Sequence, residues 1–170
     1  MRVTYGEGFA LAPAPTEPFA NLTPEQVDLW RAGLSAFPQV EPETENYFVP
    51  TDGGFLYCRK VTRGKNITTL GRVHKQEHFY IIAKGRIAVS GSAGTTVYEA
   101  GSVIVSKPGT QRLVSSLEDS VTITMHKVAS MDIEAIEKEL VEDDEQSNYA
   151  PGNRVKPGLI RHESIERIAS

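Results

Sequence analysis

The apolar positions of this chain change period twice, and the changes divide it into parts. Between residues 53 and 129, short runs rich in Val, Ile, Thr and Tyr follow one another with glycine-containing turns between them. Their alternation predicts eight strands: Phe55–Thr62, Ile67–His74, His78–Ala83, Arg86–Ser90, Thr95–Tyr98, Ser102–Ser106, Gln111–Ser115 and Ser120–Val128. Strands this short and evenly spaced, with no helical pattern between them, predict an antiparallel sandwich or small barrel over residues 51–129.

Before the strands the pattern is different. Residues 1–50 hold seven of the ten prolines and only two basic side chains, Arg2 and Arg31. Proline fixes φ and removes a donor, so this stretch reads as an extended arm that supplies no central strand. One helix interrupts it, at about residues 24–36. Thr23 is its N-cap, Pro24 its first residue, and Gln26 completes a capping box. Val27, Trp30 and Leu34 share one face at helical spacing, which predicts that Trp30 packs the helix onto a neighbour.

After the strands the period becomes helical again. Ile133, Ile136, Leu140 and Val141 form a stripe within residues 130–145, and eight acidic residues occupy the rest of that segment, read as a solvated face. The acidic run 142–145 lies at the wrong end of the helix dipole and is expected to leave the helix. Residues 146–170 read as a second polar arm, whose Leu159, Ile160, Ile165 and Ile168 fit a short terminal helix.

Composition narrows the classes. The 170 residues carry a formal charge of −4. A binder that neutralises nucleic-acid phosphates normally shows a basic surplus, so nucleic acid is not an expected partner. There is no apolar run of about 18 residues, as a membrane helix needs, and no signal-peptide pattern. The single cysteine, Cys58, excludes an internal disulfide framework and any multi-cysteine metal site, and reads as a structural thiol.

The candidate chemistry lies in the middle of the chain. In Gly71-Arg-Val-His74-Lys-Gln-Glu-His78-Phe-Tyr80 two histidines stand four apart across a polar turn, in what reads as a hairpin. Period-two alternation puts Arg72 and His74 on one face, and His78, Tyr80 and Ile82 on one face of the next strand. His126 ends the strand that also holds Thr122 and Thr124. Three imidazoles suffice to hold a divalent transition metal (Fe, Mn, Ni or Zn) with positions left open for a ligand. No acid–base pair stands out for catalysis. Gly91–Thr96 lacks a phosphate-loop lysine, and Ser115-Ser116 has no nucleophile elbow.

The histidine turn closed by Gly85, followed by Ala100-Gly101 and by Lys107-Pro108-Gly109-Thr110-Gln111-Arg112, resembles the two motifs of the cupin superfamily. The resemblance implies an all-β, cupin-type antiparallel barrel (a double-stranded β-helix) between the proline-rich arm with its helix and the acidic C-terminal helix and tail. It places Arg72 at the first ligand position, His74 at the second, His78 at the position of the glutamate and Arg112 at the last histidine. A guanidinium stays protonated and cannot ligate a metal. The usual four-ligand centre is therefore replaced by a candidate set of His74, His78 and His126, and Arg72, Tyr80 and Arg112 become candidates for holding an anion. The wording His-Lys-x-Glu-His, Gly-x-Ile-x-Val, Pro-Gly-Thr-x-Arg and Thr-x-His also resembles small cupin-like proteins of tailed bacteriophages.

Three functions follow as expectations. The first is a non-enzymatic module whose arms bind other protein subunits, in a homo-oligomer or a virion (capsid or tail), located in the virion or the host cytoplasm. The second is a metal-dependent enzyme of the three-histidine dioxygenase or isomerase type. The third is a small-anion binder using Arg72 and Arg112.

Overall fold

The computed structural model describes residues 21–157 of the chain. His162, the tail helix over 159–168 and the prolines at 13, 15 and 18 lie outside the described residues.

Helix α1 (Pro24–Ser35) starts as its sequence requires, with Thr23 and Gln26 in a reciprocal capping box and proline in the first turn. Nine strands follow: β1 (Glu43–Thr51), β2 (Gly54–Arg63), β3 (Thr68–Leu70), β4 (His78–Lys84), β5 (Arg86–Gly91), β6 (Gly94–Glu99), β7 (Val103–Ser106), β8 (Leu113–Ser116) and β9 (Ser120–Val128). Helix α2 (Ile133–Leu140), capped by Asp132, is shorter than the acidic segment, and residues 142–145 do leave it. A small ladder of β10 (Tyr149–Ala150) and β11 (Arg154–Val155) ends the described chain.

All strand pairs are antiparallel. One sheet runs β1-β2-β9-β4-β7 and the other β3-β8-β5-β6. With β1 set aside, the eight strands β2–β9 divide between two four-stranded sheets in the order of a jelly roll, the double-stranded β-helix of cupin-type barrels. Ile82, Ile87, Val89, Ile104 and Val114 fill the space between the sheets. Tyr57, Val128, Ile136, Leu140 and Val141 pack α2 over one end. Leu22, Val27 and Leu113 seat α1, with Leu34 and Leu70 against them.

Several sequence expectations are corrected. Residues 43–50, read as arm, form β1. Its Pro50 is tolerated because β1 is an edge strand that needs no ladder donor on its outer side. The strand expected at Ile67–His74 stops at Leu70, and β3 pairs with β8, whereas β4 pairs with β7 and β9. The histidine segment is thus a crossover between sheets, not a hairpin. Trp30 is not the packing residue of α1: it is 41% exposed, whereas Val27 is buried. Cys58 is only partly buried and lies on the outer face of the five-stranded sheet.

Gly85 joins β4 to β5 at the corner where the chain changes sheets. Its φ is +75°, and a Cβ there would stand 2.4 Å from the Asp119 carbonyl oxygen. Only glycine fits. The described parts of the two arms bond to each other. Asn148 bonds Gln39, the Tyr149 hydroxyl donates to the Val40 carbonyl, and the Val155 amide donates to Glu41.

Candidate metal centre

The period-two faces of β4 and β9 carry two of the three histidines. Met125 pairs with Phe79 and Thr124 with Tyr80, so His126 stands beside His78 on the inner face of neighbouring strands. His74 reaches them from the crossover. That loop is fastened from both sides: the Lys75 amide donates to Leu140 O at the end of α2, the Glu142 amide to Val73 O, and the Gly109 amide to His74 O. The Pro108-Gly109 turn and the C-terminus of α2 therefore set the position of His74.

The three rings form one cluster, with centroids 4.2 Å (74–78), 4.6 Å (78–126) and 5.4 Å (74–126) apart. Each offers a ring nitrogen, and these atoms all lie within 4.8 Å of one another. His78 and His126 are buried and His74 is partly exposed.

Desolvation, reinforced by the other imidazoles and by the cations Arg112 and Arg59, pushes His74 down to about 2. Burial, His78 and Arg59 push His126 down to about 3. His78 is also lowered, chiefly by burial. All three are neutral at physiological pH, the protonation state a metal ligand needs.

The donor chemistry fits an ion. Nδ1 of His74 and Nδ1 of His126 are buried without a hydrogen-bond partner among the described residues. Nδ1 of His78 lies 3.2 Å from the Gln76 carbonyl oxygen, which can only accept, so the proton sits on Nδ1 and the Nε2 lone pair is left for a ligand.

Beside the cluster, lined by His74 and His78, is a cavity of about 160 Å³. All three candidates for an anion, Arg72, Tyr80 and Arg112, line it. Arg112 is buried, lies 5.7 Å over the Tyr80 ring and donates from Nη2 to the Ser106 hydroxyl. Arg72 is differently placed: its Nη1 donates to Glu137 at 2.7 Å.

Glu137 is the residue that sequence reasoning missed. Read as part of a solvated acidic face, it is 5% exposed. Its carboxylate accepts from Arg59 at 2.8 Å, from Arg72 at 2.7 Å and from the Gly152 amide at 2.9 Å. The signal was present: Ile133, Ile136, Glu137 and Leu140 stand at i, i+3, i+4 and i+7, so the glutamate belongs to the buried stripe. Arg59 and Arg63, both alternating inward on β2, were also missed and also line the cavity.

A jelly-roll barrel with three desolvated imidazoles at its mouth is the class that strand order and site define together. No protein-family model matches the chain, and no curated protein matches it. Among solved structures it is similar to a cupin-2 domain protein from Shewanella frigidimarina, with a TM-score of 0.41 at 12% identity over 58% of this chain and 92% of that one. A cupin superfamily protein from Desulfitobacterium hafniense gives 0.43 at 6% identity over 56% and 87%. A transcriptional regulator from Vibrio cholerae gives 0.43 at 13% identity over 52% of this chain and 51% of that one. The assignment of a cupin-type barrel stands on the strand order.

Proposed function

We propose that this protein binds one divalent transition-metal ion through His74, His78 and His126 and presents it to a small ligand entering the adjoining cavity. The observation that carries the reading is the cluster itself: three neutral imidazoles with ligand atoms within 4.8 Å of one another, two of them with orphaned buried nitrogens. Bound there, the ion would supply Lewis-acid polarisation at the positions that the three histidines leave open. The chain's own residues supply the rest. The Gln76 carbonyl orients His78, α2 and the Pro108-Gly109 turn hold His74, and Tyr80 and Thr124 line the route in.

Metal analysis of protein purified without chelators tests this. One equivalent of Fe, Mn, Ni or Zn is expected, with less in His74→Ala and His126→Ala. Wild-type protein holding under about a tenth of an equivalent, and still under it after incubation with each ion, would sink the reading. The module reading, in which the two arms bind other subunits of an oligomer or a virion, is a separate expectation.

A further inference from the structure

We infer that residues 158–170 of the chain seat in an apolar groove beside helix α1, through Leu159, Ile160, Ile165 and Ile168. The inference goes beyond the metal reading and does not rest on it. The groove, of about 360 Å³, runs between the C-terminal half of α1, strand β3 and residues 144–149. Trp30, Leu34, Phe37, Ile67 and Leu70 supply its apolar surface. Leu70, Gly71, Arg72 and Tyr149 form a wall common to the groove and the metal cavity.

Within the groove Trp30 is 41% exposed and Phe37 66% exposed. Large apolar side chains gathered in one concave surface mark a binding site. The polar groups around them already satisfy one another. Arg31 donates to Gln146 at 2.8 Å and to Asp144 at 3.0 Å, and Gln39 donates to the Leu34 and Phe37 carbonyls. Asn148 donates to Gln39 and accepts from the Ser35 hydroxyl. What the groove still offers is apolar surface, which suits an apolar segment better than a polar small molecule.

The chain delivers such a segment to the rim. Strand β11 runs antiparallel to β10, and the Lys156 amide donates to the Asn148 carbonyl at 3.0 Å. Pro157 is thereby brought close to a groove residue, near Ser35 at the C-terminal end of α1. Trp30 stands only about 8 Å back along the helix from Ser35. From Pro157, Ile168 is roughly 16 Å along a helix or roughly 36 Å along an extended chain, so the segment reaches Trp30 in either form. Residues 1–20 join α1 at its other end, where Asn21 is bonded to Gly109, Gln111 and Ser92. The whole helix, roughly 18 Å long, separates that junction from Ser35.

Size agrees with the occupant. At about 30 Å³ for each water-sized group, the groove has room for roughly twelve such groups. That matches about three branched side chains of four carbons each, and Leu159, Ile160, Ile165 and Ile168 supply them with one left for the rim.

Trp30 is the single tryptophan of the chain, so its fluorescence reads the groove in full-length protein. Acrylamide should quench it at least about twofold more efficiently in Ile165→Asp/Ile168→Asp than in wild type, with circular dichroism unchanged. Leu159→Asp/Ile160→Asp serves if that variant does not fold. In a Phe37→Asp background, where the groove itself is spoiled, the same tail substitutions should add nothing. Unchanged quenching in a folded tail variant overturns the inference. A full tail effect that persists beside Phe37→Asp also overturns it, since the tail would then cover Trp30 from elsewhere. A response to Phe19→Asp in place of the tail variants assigns the groove to residues 1–20. Wild-type quenching that falls between about 1 and about 100 μM protein assigns it to a second copy, and either result overturns the inference.

Discussion

Single side chains decide most of the chemistry, and Glu137 has the largest role among them. A 5%-exposed carboxylate holding two guanidinium groups and a backbone amide leaves two half-buried cations without their ion-pair partner if it is neutralised. Glu137→Gln should therefore lower stability by about 3 kcal/mol in urea unfolding. A loss below about 0.5 kcal/mol would mean that the arginines find other partners. The histidines give a pH dependence of definite sign. An imidazole whose folded value is pushed far down stays neutral in the fold, while the unfolded chain takes up a proton below about pH 6.5. Their contribution is intact above that pH and is lost as pH falls from about 6.5 toward the values of about 3 and about 2 given by His126 and His74. Unfolding midpoints of metal-free protein should fall between pH 6.5 and 5, approaching about 1.4 kcal/mol per pH unit for each histidine. His126→Gln should flatten the profile, and a wild-type profile level over that range would show that the rings are not desolvated.

At the scale of elements, the two crossovers matter more than the strands they join. The β4–β5 corner requires Gly85 at φ +75° against the Asp119 carbonyl. Gly85→Ala should destabilise by about 2 kcal/mol or more, because positive φ and the backbone clash add. Full stability in that variant would place the corner elsewhere. Helix α2 was legible as a helix from its apolar stripe, yet its task was not. Its C-terminal carbonyl of Leu140 receives the Lys75 amide, and its Glu137 holds Arg72, so it fastens the crossover that carries His74. Breaking its packing with Ile136→Ala removes a fully buried side chain, at about 2–5 kcal/mol. Metal affinity should fall with it in the protein that remains folded, and unchanged affinity would show that α2 does not position His74.

For the molecule as a whole, the number and order of the eight barrel strands were readable in the chain, and the approximate ends of all but β3. Period-two alternation and glycine turns are local signals, and a strand buried on one face needs both. The choice of His74, His78 and His126 as one set was readable too, through the cupin resemblance and the inward parity of β4. What the linear pattern hid was pairing. Edge strand β1 looks like arm because a proline is harmful only where its missing donor faces a neighbour. The segment before His78 looks like half a hairpin because alternation does not say which sheet a strand joins. Glu137 was hidden by its charge, since composition counts an acid as solvated until a partner is seen. The sequence by itself determined the barrel, its turns and which residue types could meet at its mouth, because those follow from short-range periodicity and backbone sterics. Only the tertiary structure decided that Glu137 takes Arg59 and Arg72, that Arg63 faces the Thr122 hydroxyl, and that Cys58, Met125, Phe79 and Val105 fall into one outward row of the five-stranded sheet. These facts depend on which strands and helices become neighbours, and long-range packing alone settles that.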